Sequence, residues 1–322
     1  MARRHRRNQG ASVGTRTFID ASEQGKNQAW RYIVGFLVIL FFWLFLGSLP
    51  LLAAIFLSAV DGDPASGIDL TTGQLTGLDS LVGGYLLPNL SFPFFLAGIV
   101  LTVRVLHRRS VRSLVTPRER INWQRVGQGF LVWGILALIV TGVEILLHPA
   151  SFRWNPVGVG RYLAFLAMAL IFTPLQTTTE ELFFRGYLLQ AVGRKVRTPW
   201  AAALVNGVLF MLPHLANPEV SAGPVLLILY YFGMGTFFSW ITLRDNSAEL
   251  ALGAHAANNL FVALLINFEG SALQTPSLVM SDRLDPLFNL VSFVVMAVVF
   301  YVVLFVHMPQ RAAHPMEERG PA

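Results

Sequence analysis

The sequence predicts an all-α fold: a polytopic membrane helix bundle of about eight transmembrane helices, with both termini on the cytoplasmic side. Three observations carry this expectation. Of 322 residues, 54% are hydrophobic and only 13% are charged, which is too apolar for an ordinary soluble domain. Several apolar runs approach the ~20 residues that a bilayer-spanning helix needs. The basic residues gather in the tails and in alternate loops, as the positive-inside rule requires.

Taken in order, residues 1–30 form a basic, polar cytoplasmic tail with Arg3, Arg4, Arg6, Arg7, Arg16 and Lys26, a composition that predicts a mobile segment. Accessory helices 1–3 fall within residues 31–160, with spans over 32–59, 82–106 and 129–147. Residues 61–80 contain four aspartates and no Lys or Arg, so they read as an external loop. Residues 104–125 hold seven arginines and read as a cytoplasmic loop whose end, around Ile121, Trp123 and Val126, lies on the membrane surface. A core follows over 161–267, with spans at 162–194, 200–216, 224–243 and 250–267. The last span covers 287–307, within a segment 268–307, and residues 308–322 form a Pro-rich cytoplasmic tail. On this path 20 of the 24 Lys and Arg lie in cytoplasmic segments, while Arg153, Arg161 and Arg283 are external and Arg185 is embedded.

Composition also excludes functions. The formal charge of +6 is spent on topology, so no nucleic-acid partner is expected. The absence of cysteine rules out disulfides, thiol catalysis and thiolate metal ligands. The first apolar run is long enough to span rather than to be cleaved, and the C-terminal Gly320-Pro321-Ala322 is not a prenylation signal.

Against this apolar background one stretch stands out: Thr177-Thr178-Thr179-Glu180-Glu181-Leu182-Phe183-Phe184-Arg185. An ionised residue at the centre of a membrane helix costs about 2.5–3.5 kcal/mol even on lenient scales, so such a cluster marks function by default. Glu181 and Arg185 are four residues apart and share a helix face; Glu180 points about 100° away and is free for other work. Two of the seven histidines, His214 and His255, fall inside predicted spans. His255 and Asn259 share a face, and Phe210 lies one turn before His214. Glu180, His214 and His255 are 14, 15 and 11 residues from Arg194, Pro199 and Arg244. Those separations place them roughly 16–23 Å from the cytoplasmic ends of their helices. Phe210 and Asn258 are expected to pack, with Asn258 facing away from Asn259.

Glu180-Glu181 with Arg185, Phe210 with His214, and His255 with Asn259 resemble three motifs, EExxxR, FxxxH and HxxxN. These mark the CPBP family of intramembrane proteases, the CAAX-protease and bacteriocin-processing group, also called Abi. The resemblance covers about residues 160–267. It implies an eight-helix or similar bundle with a catalytic cavity in the membrane, and hydrolysis of a peptide bond in a membrane-associated peptide or protein, prenylated or bacteriocin-like. By analogy, Glu180 and His214 activate a water, His255 and Asn259 form the oxyanion hole, and Glu181, Arg185 and Phe210 support them. The family has also been described as metalloproteases, and in that case Glu180, His214 and His255 are the zinc ligands. The helical HExxH signature is absent and Asn259 is a poor zinc ligand, so a reaction without a metal cofactor is favoured. The alternatives are a non-catalytic immunity or regulatory protein of the same fold, and a proton-coupled transporter using Glu180 and the histidines as a relay. No internal repeat of the kind transporters carry is visible. Oligomeric state is open.

Overall fold

A computed structural model describes residues 17–60, 67–68, 75–79, 81–273 and 275–308. Among them are eight helices: α1 (Ala29–Val60), α2 (Val82–Leu106), α3 (Trp123–Leu147), α4 (Val159–Gly193), α5 (Pro199–His214), α6 (Pro224–Asp245), α7 (Glu249–Leu264) and α8 (Pro286–His307). Local chemistry sets their ends. Proline, which lacks the N–H that a first turn cannot use, opens α5, α6 and α8. Asn122 caps α3 by accepting from the Arg125 amide, and Asp285 caps α8 by accepting from the Leu287 and Phe288 amides. Asn246 closes α6 in the left-handed region at φ 55°, which asparagine tolerates.

Six of the eight helices are long and apolar enough to cross a membrane. Large apolar side chains cover their outer faces: Ile33, Leu37, Leu44 and Phe56 on α1, Leu131, Ile135 and Leu138 on α3, Val291, Val294 and Val298 on α8, all exposed. A water-facing surface rarely carries so much contiguous apolar area; lipid covers it here. The other two helices differ from expectation. α5 and α7 have 16 residues each, about 24 Å of helix, short of the ~30 Å hydrocarbon core. α5 stops at His214 before Asn217-Pro218, and α7 stops at Leu264 where the chain turns into a strand.

Five short strands accompany the helices: β1 (Gly67–Ile68), β2 (Leu75–Thr76), β3 (Phe152–Trp154), β4 (Ile266–Phe268) and β5 (Val279–Ser281). The last three form a small sheet in the order β3-β5-β4, antiparallel between β3 and β5 and parallel between β4 and β5. It ties the α3–α4 connection to the α7–α8 connection at one end of the bundle. None of the strands was expected from an apolar pattern dominated by helices.

Inside the bundle α7 lies between α3 and α4, α5 packs on α6, and α8 packs on α6 and α3. Trp133 is fully buried at the centre, with the rings of Phe238, Phe293 and Phe300 within 5.4–6.4 Å. The approach of α7 to α3 is backbone to backbone. A Cβ at Gly253 would collide with the carbonyl of Val126, and one at Gly129 with the carbonyl of Leu250. Small residues allow this closeness, from which membrane helices gain their packing energy. We therefore expect Gly253→Val to destroy the monodisperse peak of the detergent-solubilised protein on size exclusion. Gly142→Val, on the same α3 but facing open space, should leave that peak unchanged.

Two expectations for the basic end are corrected. Arg125 is not in a surface loop: α3 begins at Trp123, and Arg125 is buried in the bundle. It pairs with Asp245 at 2.8 Å and donates to the carbonyls of Leu304 and Met308, so its charge is both paired and hydrogen-bonded. Residues 17–28 are not a mobile tail. They contain a short helical turn (Asp20–Gln24) and bury Phe18 and Ala21 against the end of the bundle. His107 Nδ1 donates to the carbonyl of Lys26 at 2.8 Å and its Nε2 accepts from Tyr187. Burial holds this imidazole down at about 4, which suits the neutral tautomer that the two bonds require. The remaining tail residues (1–16 and 309–322) and most of the loop 61–80 lie outside the described residues.

Candidate active site

The site begins where α4 changes form. Thr177 and Thr179 return their hydroxyls to the carbonyls of Thr173 and Leu175 at 3.1 and 2.7 Å, so neither hydroxyl is left unpaired in the helix. After Glu181 the helix widens into a π-helical stretch, Leu182–Leu188, a device frequent at functional sites. Arg185 lies within it. Its guanidinium donates to Glu181 Oε1 at 2.8 Å, with both side chains fully buried. The Nε and the second NH2 nitrogen of Arg185 meet no protein acceptor; the guanidinium lies instead over the Phe210 ring at 4.4 Å and the Phe238 ring at 5.2 Å. Cation–π attraction in a dry site is worth about 2 kcal/mol, so Phe210 supports the charge as well as packing.

α7 supplies the next group. His255 Nδ1 lies 2.7 Å from Glu181 Oε1. A carboxylate only accepts, so Nδ1 carries the proton and Nε2 faces Glu180 Oε2 at 3.6 Å. The imidazole thus sits between the two glutamates. Glu180 also accepts from Gln176 one turn earlier, at 3.4 Å. One turn along α7, Asn259 Oδ1 accepts from Asn258 Nδ2 at 3.1 Å, and Asn258 Oδ1 accepts from the Trp133 indole at 3.2 Å. This corrects the expectation that Asn258 faces away: it turns towards Asn259 and orients its amide, so that the Nδ2 group of Asn259 is the one that remains to donate.

α5 supplies His214 as its last residue. His214 Nδ1 lies 2.7 Å from the carbonyl of Phe210; the carbonyl accepts, so Nδ1 holds the proton and Nε2 is the free base. The ring rests on Phe210 at 4.4 Å and on Tyr231 of α6 at 4.6 Å. Tyr231 donates to Glu219 Oε1 at 2.6 Å, and Asn217 donates to the same oxygen at 3.2 Å.

Glu180, His214, His255, Asn258 and Asn259 line one cavity of about 400 Å³. The structure therefore brings the sequence-derived residues together, with Glu181 and Arg185 directly behind them. The contact of Glu180 is with His255, and His214 lines the same cavity from the end of α5. Sequence reasoning missed the Glu181–His255 bond, the Asn258–Asn259 amide chain and the Asn217–Glu219–Tyr231 group. Linear spacing does not signal them: the first joins α4 to α7, the third joins a loop to α6, and the Asn258 amide is turned by Trp133 of α3. Among the described residues no group of three His, Asp or Glu side chains converges as a metal-ligating set. His214 and His255 each donate through Nδ1, so Nε2 is the nitrogen that either would offer to a metal in the cavity they share with Glu180.

No solved structure matches the chain. A protein of Bacillus subtilis (strain 168), the uncharacterized protein YyaK, is 36% identical over 267 residues, which is 83% of this chain and 88% of that protein. The family model for Rce1-like type II CAAX prenyl endopeptidases matches residues 160–261, a range that holds all seven motif residues. With the lipid-facing helices, these findings make the chain an integral membrane protein that belongs to the Rce1-like type II CAAX prenyl endopeptidase (CPBP, Abi) family.

Proposed function

We propose that the cavity hydrolyses a peptide bond of a membrane-associated peptide or protein, by a water activated between Glu180 and His214. The observation that carries this reading is the convergence of four groups on one cavity, each with its free atom determined by its other bonds. His214 offers Nε2 as an acceptor because Nδ1 donates to Phe210. Asn259 offers Nδ2 as a donor because Oδ1 accepts from Asn258. A base on one wall and amide or imidazole donors on another is what attack on a carbonyl needs.

The buried charges fit the same assignment. Glu180, Glu181, Arg185 and His255 form one contiguous cluster. It is neutral overall when a single proton is shared between Glu180 and His255 in addition to Nδ1–H of His255. With that proton on His255, Glu180 is a carboxylate able to accept from water, and His255 Nε2 donates to the developing oxyanion. Glu181 stabilises the resulting imidazolium through the 2.7 Å bond to Nδ1. The proton that Glu180 takes from the water is relayed through the free Nε2 of His214 to the leaving amine, as the C–N bond breaks and the carbonyl re-forms. Each oxyanion donor of this kind is worth about 2.7–4 kcal/mol. Both termini are placed in the cytoplasm on the 20-to-3 division of basic residues.

The test is cleavage by the purified protein. Wild type in detergent, incubated with solubilised membrane proteins, should generate new peptide termini detected by mass spectrometry that Glu180→Gln does not generate. Identical terminus profiles from the two proteins would remove the proposal. No metal enters these steps, so a chelator added to the wild-type reaction should leave turnover unchanged. Loss of activity with the chelator and its return with zinc would replace the water-activation scheme by a metal one.

A further inference from the structure

The cavity runs from the middle of the bundle towards one end. Its wall is made by Thr173 to Phe184 in the middle of α4, Phe210 to His214 at the end of α5, Leu227 to Met234 in the first half of α6, His255 to Ala263 from the middle of α7 onwards, and Asn289 at the start of α8. Trp43 and Phe92 close it near the middles of α1 and α2. The stretches on α5, α6 and α8 lie towards the end bearing the α3–α4, α5–α6 and α7–α8 connections, and those on α4 and α7 reach the middle of the bundle. The rim consists of residues from two of these connections, Asn217 and Glu219 from one, Ser271, Ala272, Leu273 and Thr275 from the other. Glu219 Oε2 accepts from the Ala272 amide at 3.0 Å, joining the two sides of the mouth.

The opposite end is sealed. Below Glu181 and Arg185 the bundle is filled by Phe183, Tyr187, Phe238 and Ile241, all buried. Beyond them lie the buried Arg125–Asp245 pair, the Arg118–Glu249 pair, and Arg109 bonded to Gln190. Residues 17–28 cover this end, with Phe18 buried. No residue of the sealed end lines the cavity.

Charge says which end is which. Leaving the tails aside, the connections at the sealed end and the helix turns flanking them carry eleven Lys and Arg: seven over 104–125, of which Arg104 and Arg125 lie in α2 and α3, then Arg194, Lys195, Arg197 and, in the last turn of α6, Arg244. Those at the open end carry Arg153, Arg161 and Arg283. The positive-inside rule counts such short connections. It puts the sealed end in the cytoplasm and the mouth on the extracytoplasmic face.

We infer that the catalytic cavity opens away from the cytoplasm, so that its substrate is a peptide segment presented on the outer face of the membrane, secreted or anchored there. A lipidated C-terminus exposed to the cytoplasm has no route to Glu180 and His214 past the sealed end. This inference rests on the cavity being the working site, and it is tested by access rather than by turnover.

The chain has no cysteine, so single cysteines report cleanly. Ala272 is exposed at the rim, Val262 lies inside the cavity, and Thr198 is exposed on the sealed end. Intact cells are treated with a charged, membrane-impermeant methanethiosulfonate, and residual thiols are counted after lysis with a maleimide. Ala272→Cys and Val262→Cys should be modified in intact cells, with Thr198→Cys modified only after permeabilisation. Modification of Thr198→Cys in intact cells, with Ala272→Cys protected, would overturn the orientation. Modification of Val262→Cys only from the cytoplasmic side, or from neither side, would overturn the access route even if Ala272→Cys labels as expected. Hydrolysis is scored separately in detergent, where both faces are open. Failure to cleave there counts against the proposed activity and leaves the labelling result standing.

Discussion

Glu180→Gln should lower turnover of a membrane-peptide substrate by about 10²–10⁴-fold, the usual contribution of a positioned base, while leaving the folded protein intact. Glutamine keeps the size of the side chain and can still meet Gln176 and His255, the two partners that hold Glu180 at 3.4 and 3.6 Å. It cannot accept a proton from water. His214→Ala should have a similar effect, and the double variant should be little worse than either single one, because groups that act as a unit are not additive. Asn259→Ala should cost about 10²–10³-fold, with residual activity from the donor that remains. The measurement is turnover beside apparent melting temperature for each variant. Near-normal turnover by Glu180→Gln, or a collapse of its melting temperature, would show that the base has been misassigned.

Glu181→Ala should behave differently, lowering stability and activity together. Glu181 Oε1 is shared between Arg185 at 2.8 Å and His255 Nδ1 at 2.7 Å, and all three side chains are buried. Removing the carboxylate strands the guanidinium, and breaking one partner of a buried pair costs about 3–5 kcal/mol. It also releases His255 from the bond that determines which nitrogen faces Glu180. Arg185→Ala should destabilise to a similar degree and additionally free Phe210, on which both the guanidinium and His214 rest. Thermal unfolding in detergent and expression yield read the first effect, and turnover of the surviving folded fraction reads the second. A Glu181→Ala protein that melts like wild type would refute the structural role given to this residue.

Much of this molecule follows from one-dimensional information because a bilayer constrains it so strongly. Every backbone polar group in hydrocarbon must be satisfied within its own helix, so apolar runs translate almost directly into helices, and the eight predicted segments correspond to the eight observed. The seven motif residues are legible for the same reason: Glu180, Glu181, Arg185, His214 and His255 are costly in such surroundings and stand out at once, and i, i+4 spacing pairs Glu181 with Arg185 and His255 with Asn259. Spacing has no reach across helices, however. That Glu181 holds His255 as well as Arg185, that Asn258 turns to orient Asn259, and that Tyr231 and Glu219 stand behind His214 depend on how helices distant in sequence are packed. Gly129 and Gly253 allow the close approach that sets the height of α7. Arg125 was misplaced because a charge reads as solvent-exposed until its partner is known, and Asp245 lies 120 positions away. The existence and order of the helices were within the reach of the sequence, since apolar runs are a local property, whereas the shorter α5 and α7 were not. The direction of each ring nitrogen and the meeting of these residues on one cavity are properties of convergence, and only the tertiary structure decides them.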